Sequence, residues 1–410
     1  MRVAFLLRKF PVLSETFILD QIVGLIDRGV EVDIYAVFEG DWAHCHPLVE
    51  AYGLCDRTYF PPVPFSPRVI PRLLRAPQLL GRPQAAPLAA QLKSLNVFKY
   101  RFQALFLHLL YLSSRLNGTQ HYDIIHCHFG MYGLVGVDLR DLGLISGKIV
   151  TSFHGMDIHV YPRRHGRGVY RRLFAQGDLF TVNSHFTGSK LKALGCPADK
   201  IVKLPVGLNT QLYGTAGVER PSADGPVRLL TVARLTEKKG LEYSIRAVAN
   251  LAKAHPHIRY DIVGVGPLQT ALTQLIASIK ADAYIHLLGQ RNQVELRALY
   301  NQADIFVLAS VTAADGDMEG QGLVLQEAQA SGLPVVSTWH NGIPEGVLVN
   351  ESAFLVPERQ VEPLTERLAY LVSQPAQRQR LDQAGQTFVR QTFDIALLTD
   401  QLLTLYKGLL

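Results

Sequence analysis

Asp317-Met-Glu-Gly-Gln-Gly-Leu-Val-Leu-Gln-Glu-Ala-Gln-Ala-Ser-Gly-Leu-Pro-Val-Val-Ser337 sets two carboxylates, Glu319 and Glu327, on either side of seven residues that include two glycines. Glycine in a helix costs about 1 kcal/mol relative to alanine, so Gly320 and Gly322 argue for a loop at Glu319. From Leu323 the run is a good helix start, and Gly332-Leu-Pro334 stops it. A strand precedes (Asp304-Ile-Phe-Val-Leu-Ala309) and another follows (Pro334-Val-Val-Ser-Thr338). Strand, loop, helix, strand is the unit of a doubly wound α/β sheet. The loop would present bare amides from Gly320, Gln321, Gly322, Leu323 and Val324 at the positive end of a helix dipole, which suits an anion. Carboxylates beside such a site can accept hydrogen bonds from sugar or ribose hydroxyls. The chemistry points to an anionic, hydroxyl-rich ligand such as a nucleotide sugar. The plain alternative is a strand–loop–helix unit with two solvated glutamates.

The same alternation starts upstream at Arg228-Leu-Leu-Thr-Val-Ala233, followed by a charged loop and a helix predicted from about Leu241 to His255. The loop, Arg234-Leu-Thr-Glu-Lys-Lys-Gly240, places Arg234 and Lys239 between a strand end and a helix start. Two cations there suit a diphosphate, arginine by forked hydrogen bonds and lysine as a point charge; surface charge is the competing reading. Tyr260–Pro267 reads as a strand ending in Gly264 and Gly266, a place for close backbone approach to a nucleotide. Ile285–Gly289 is the next strand, and Gln290 and Arg291 after it are candidates to border the base. Asp315-Gly-Asp317 has the spelling of a metal-binding pair but lies in a loop, so no metal ligand is assigned there.

The Glu319–Glu327 stretch, with its trailing Ala-Gln-Ala-Ser-Gly-Leu-Pro-Val-Val, resembles the E-x7-E signature of the retaining family 4 glycosyltransferases of the GT-B fold. Phe10-Pro-Val-Leu-Ser-Glu-Thr-Phe17 is similar to what polysaccharide-assembly members, of the colanic-acid type, show. The resemblance implies two Rossmann-like domains facing a cleft and transfer of a sugar from a nucleoside-diphosphate sugar to an acceptor hydroxyl, keeping the anomeric configuration. It also implies that Arg234, Lys239 and the carboxylate loop clamp one donor, that Glu319 meets the sugar hydroxyls and Glu327 the ribose, and that His154 lies beside the transferred sugar. No cofactor and no divalent metal are expected, because the two cations replace one. No enzymic nucleophile can be assigned, so front-face attack assisted by the leaving group is the expectation. Gln321 departs from the pattern, since many members carry an aromatic between the glycines.

In the first half, Val3–Leu7 and Val30–Tyr35 read as buried strands flanking an amphipathic helix. Ser14, Glu15 and Thr16, after the first strand, are either acceptor contacts or, for Ser14 or Thr16, a helix N-cap. Asp123–Gly130 is a strand running into a glycine turn; His126 and His128 share one face of it. Further ligands at metal spacing are missing, so a metal reading is set aside. Lys148–Phe153 is a strand ending in His154-Gly-Met-Asp157, where a doubly wound sheet binds ligand; Asp157 either meets the acceptor or holds the loop. Between Arg57 and Gln120 there is no acidic residue. Residues from about Pro87 to Arg115 read as helix, with Phe98, Phe102, Leu105, Leu109 and Leu112 near one face. This basic, apolar insertion suggests an anionic membrane surface or a lipid-diphosphate acceptor; an ordinary core-facing helix pair is the alternative. Tyr161–Arg172 is again strongly basic and fits a phosphorylated acceptor or simple solvation.

The chain has 410 residues, enough for two large domains, and is 48% hydrophobic and 19% charged, a normal globular balance. Its net charge of +6 is modest, and nucleic acid is not an expected partner. Cys45, Cys55, Cys127 and Cys196 are scattered without metal-ligand spacing, which fits a reducing compartment. The apolar run at Met1–Lys9 is too short for a signal peptide and no stretch is long enough to span a bilayer, so the expectation is a cytoplasmic enzyme, peripheral on a membrane where the insertion binds lipid. The expected domains are residues 1–206 (acceptor side, with the basic insertion at about 57–120), a linker at 207–226, a nucleotide-sugar domain at 227–390, and a helix at 391–410 crossing back. A nucleotide-sugar epimerase, a donor hydrolase and a non-catalytic binding subunit would use the same architecture.

Overall fold

The computed structural model describes every residue except 13–14, 67, 83–84, 117–118 and 215–224. Ser14 and half of the expected linker therefore lie outside the described residues. The chain divides into two compact units: Met1–Val182 with Gly188–Leu204 and Thr399–Leu410, and Asn183–Thr187 with Pro205–Leu398.

The first unit is built on seven strands: β1 (Arg2–Phe10), β2 (Glu31–Glu39), β3 (Thr58–Tyr59), β4 (Gln120–His128), β5 (Ile145–Phe153), β6 (Leu179–Val182) and β7 (Ile201–Lys203). They are ordered β3-β2-β1-β4-β5-β6-β7, every pair parallel. The second unit has six: β8 (Val227–Val232), β9 (Ile258–Val263), β10 (Ile285–Gly289), β11 (Ile305–Leu308), β12 (Val335–Thr338) and β13 (Ala353–Val356), ordered β10-β9-β8-β11-β12-β13 and again parallel. Parallel sheets are covered on both faces, which is why these strands read as apolar runs rather than alternations. Leu230, Ile262, Phe306 and Val336 form the second core with Ile245, Val248 and Leu251 of the helix Leu241–Ala254. In each sheet the strand order reverses once, between β1 and β4 and between β8 and β11. The loops leaving those strands are where doubly wound sheets take ligands.

The last helix, Ile395–Leu409, contributes to both units, the division falling at Leu398–Thr399. Its end is anchored in the first: Asp400 pairs with Arg28 at 2.5 Å, and the Tyr406 hydroxyl meets His126 Nδ1 at 2.5 Å.

One expected helix is broken. Residues 87–115 form four short helices, Leu88–Ser94, Val97–Tyr100, Phe102–Leu105 and His108–Ser113. Arg101 (φ 47°) and Leu107 (φ 60°) lie in the left-handed region and Asn96 caps the second piece through Lys99 N. Each break rotates the face, so Leu109 and Leu112 are buried whereas Phe98, Phe102 and Leu105 are exposed.

Candidate functional site

In the second unit the loop after β8 turns through Gly240 into the helix Leu241–Ala254. Gly240 has φ 59°, and a Cβ there would stand 1.7 Å from Ala309 O, so only glycine lets this loop close onto the end of β11. That closure delivers Lys239 to the carboxylate loop, where its ammonium is hydrogen-bonded to Glu319 Oε2. Lys238 pairs with Asp317 at 3.1 Å. Burial alone would push the Glu319 carboxyl up; the Lys239 ammonium, Lys238 and the hydrogen bond outweigh it and bring the group down to about 2. Glu319 is therefore a fixed anion. Arg234 is exposed, and among the described residues its guanidinium has no hydrogen bond or ion pair.

The loop from Ala309 to Gly322 is held from several sides. Glu237 accepts from Ala314 N–H at 3.1 Å, Glu358 from Thr312 N–H at 3.0 Å, and Arg359 donates to Thr312 O at 2.6 Å. His340, 1% exposed, faces Glu358 Oε1 with Nδ1 at 2.6 Å and accepts the Glu319 N–H on Nε2 at 3.1 Å. The proton on Nδ1 donated to Glu358 leaves Nε2 lone-paired for that amide. The helix Leu323–Ala330 begins at Gly322, φ 78°, with no side-chain cap. Among the described residues the backbone N–H groups of Gly320, Gln321, Gly322, Leu323 and Val324 have no acceptor. This is a row of donors beside a fixed carboxylate and a pair of cations. Glu327, on the first turns of the helix, takes a hydrogen bond from the Tyr300 hydroxyl at 2.8 Å. Burial raises its carboxyl, opposed by hydrogen bonds from Tyr300 and Tyr213.

The structure gives the other donor-side positions contacts within the protein. Gln321 is 4% exposed, and its amide is taken by Val206, whose N–H reaches Oε1 and whose carbonyl accepts from Nε2, both at 2.8 Å. It is an internal joint, and its side chain does not face a ligand. Gly264 and Gly266 do mark close backbone approach, but to the neighbouring loop: their added Cβ atoms would stand 1.9 Å from Ala233 O and 2.5 Å from Leu235 O. Gln290 and Arg291 follow β10, whose last carbonyl, Gly289 O, accepts from Gly264 N–H at 2.9 Å. They thus flank the same end of the sheet.

His340, Glu358 and Arg359 were not singled out from sequence. The only signal for Glu358 and Arg359 was their place at the end of Ala353–Val356, a strand hidden in a short apolar run. His340→Phe is expected to lower stability by about 1–3 kcal/mol, the cost of leaving the buried Glu319 N–H unsatisfied. His340→Gln, which can accept from that amide, should recover most of it. Equal melting temperatures for the two variants in differential scanning calorimetry would remove the role.

In the first unit three imidazoles stack at the ends of β4 and β5. The His126 and His128 rings are 4.6 Å apart, those of His128 and His154 5.2 Å apart and parallel to within 5°. His128 Nδ1 meets His154 Nε2 at 3.0 Å. Phe17 and Phe129 close on the His154 ring at 5.0 and 4.8 Å. Burial lowers His126 and His154 to about 3, so the column is neutral. Asp157 is fully buried and accepts the N–H groups of Gly130, His154 and Gly155 at 2.9, 3.1 and 2.9 Å. Of its two readings the loop-holding one is observed, and its carboxylate is not presented to an acceptor. Glu15 and Thr16 stand half-buried at the start of the helix Thr16–Ile26. Among the described residues no group of three or more His, Cys, Asp or Glu is placed to hold a metal ion.

The chain matches the family described as Glycosyltransferase Family 4 over residues 14–212 and that described as Glycosyl transferases group 1 over residues 218–388. It is 38% identical to WcaL of Salmonella typhimurium, named for colanic acid biosynthesis, over 90% of both chains. It is 37% identical to the amylovoran biosynthesis glycosyltransferase AmsK of Erwinia amylovora, again over 90% of each. Its fold matches Anabaena Alr3699/HepE, solved in complex with UDP, with a TM-score of 0.73, 18% identity and full coverage of both chains. The family matches, the relatives and the two doubly wound sheets thus agree across nearly the whole chain, which belongs to the family 4, group 1 glycosyltransferases.

Proposed function

We propose that this glycosyltransferase moves a sugar from a nucleoside-diphosphate sugar to a hydroxyl of a lipid-linked or exopolysaccharide glycan, retaining the anomeric configuration and using no divalent metal. The observation that carries the reading is the arrangement around Glu319: a carboxylate held as an anion by Lys239 and followed by five backbone N–H groups without acceptors among the described residues, with the guanidinium of Arg234, just after β8, likewise unpaired among them. The departing diphosphate gains charge as the glycosidic bond breaks, and fixed cations and amides stabilise that charge. Arg234, Lys239 and the Gly320–Val324 amides supply them where a metal ion otherwise would. Glu319 then faces the sugar hydroxyls and Glu327 the ribose. His154, neutral through burial, hydrogen-bonds the transferred sugar without adding a competing charge. Glu15 and Thr16 fall to the acceptor. The relatives named for colanic acid and amylovoran biosynthesis support a cell-envelope glycan as acceptor, and contact with an anionic membrane would bring the enzyme to it.

The test is turnover and calorimetry with a panel of nucleotide sugars in EDTA. One donor should bind and turn over fully without metal, giving a product of unchanged anomeric configuration by NMR. Glu327→Ala should weaken nucleotide affinity by about tenfold, the value of one charge-assisted hydrogen bond. Activity restored only by magnesium or manganese would reverse the metal-free reading, and inversion at the anomeric carbon would reverse the stereochemical one.

A further inference from the structure

Of the seventeen large apolar side chains exposed among the described residues, nine fall between Ile70 and Leu105. Ile70 (72% exposed), Leu73 and Leu74 (74%) share one face of the helix Val69–Arg75, at spacings of three and four. Leu88 and Leu92 do so in the next long helix, and Phe98 is 95% exposed. The inward sides of these helices are polar. Arg72 is buried, its guanidinium 4.0 Å over the Phe65 ring and bonded to Phe106 O at 3.0 Å. Gln91 is fully buried between Gly81 N–H and Leu79 O. The helices are thus seated by their polar residues with their leucines and phenylalanine turned outward, the reverse of what water alone selects.

The charge the segment itself carries has one sign; Asp141, from outside it, is paired with Lys99 at 2.6 Å. No acidic residue occurs between Arg57 and Gln120, and Arg68, Arg82 and Lys93 are exposed with no acidic partner among the described residues. The second basic stretch meets it at one point, where the His165 ring packs edge-on to Phe102 at 4.9 Å. We infer that this face of the first unit docks on an anionic lipid bilayer, Ile70, Leu74 and Phe98 entering the headgroup region while Arg68, Arg82 and Lys93 meet lipid phosphates. Apolar side chains interleaved with unpaired cations match that surface: neutral lipid would leave the cations unanswered, and an acidic protein would leave the apolar side chains wet. The inference deepens the reading of a membrane-held acceptor and rests on it.

Flotation with phosphatidylcholine vesicles, with and without phosphatidylglycerol, tests it. The protein should float with the anionic vesicles and bind the neutral ones at least about tenfold less, with release in high salt. Leu74→Ser with Phe98→Ser changes only exposed side chains, and Arg68→Gln with Arg82→Gln and Lys93→Gln only exposed charges. Each set should cut binding by about tenfold or more with melting temperature and nucleotide binding unchanged. Absence of binding to both vesicles, or equal binding to both, would overturn the inference. So would sedimentation showing a dimer that the serine variants dissolve, because the face would then join two copies of the chain. A protein that floats but turns over no nucleotide sugar would sink the proposed reaction and leave the docking face standing.

Discussion

Arg234→Ala is expected to lower turnover by about a hundredfold or more, the roughly 3–4 kcal/mol typical of removing one preorganised donor from a developing oxyanion, while leaving the melting temperature where it is. The backbone on either side of Arg234 is pinned, Ala233 N–H to Val263 O at 2.9 Å and Leu235 N–H to Val265 O at 3.1 Å. The side chain is exposed and makes no hydrogen bond or ion pair among the described residues. Deleting it therefore removes nothing the folded state uses. What disappears is an uncommitted cation carried on a backbone that is fixed before the donor arrives, and such a charge acts most strongly on the diphosphate as it departs. The loss should fall on kcat more than on KM. Arg234→Lys should recover only part, since an ammonium lacks the fork that holds two phosphate oxygens at once. Wild-type turnover in Arg234→Ala would remove this residue from the clamp.

The sequence pattern reached this residue because its information is local. A strand ending in Ala233, a charged loop and a helix start lie within one window, and the same holds for the glycines and glutamates from Glu319 to Glu327. Alternation of apolar runs with helices made the doubly wound sheets legible, and with them the switch points that carry the loops. What stayed hidden depends on pairs far apart in the chain. Gln321 looked like a ligand contact because its partner, the Val206 backbone, is 115 residues away. The bracing of Glu319 by His340 and Glu358 requires β12 and β13 to lie side by side, which no local period records. The insertion misled for another reason. Its spacing fits one long helix, but left-handed turns at Arg101 and Leu107 cut it. Those turns divide Phe98, Phe102 and Leu105 from the buried leucines that seemed to share their face.

Lys239→Met is expected to damage both stability and turnover, and a companion substitution separates the two. Methionine keeps the length of the side chain in a site that is 8% exposed, but it leaves Glu319 without its ammonium. Removing one partner of a buried ion pair typically costs about 3–5 kcal/mol, because the remaining charge is uncompensated. The pH dependence carries the signature. Glu319 falls from an ordinary 4.5 to about 2 in the folded protein, so its contribution is fully present above pH 4.5 and is lost as pH drops through 4.5 toward 2. That interval corresponds to roughly 3 kcal/mol. In Lys239→Met burial raises the carboxyl, with Lys238, itself tied to Asp317, and the weaker pull of His340 still drawing it down. Stability at pH 7 should fall and this acid-side loss should shrink. Lys239→Met with Glu319→Gln removes both charges and should restore most of the stability at pH 7, with turnover still down by about a hundredfold or more, since the cation facing the diphosphate is gone. If the double variant recovered turnover along with stability, Lys239 would be a brace for the carboxylate loop and the diphosphate charge would have to be met by Arg234 and the amides alone.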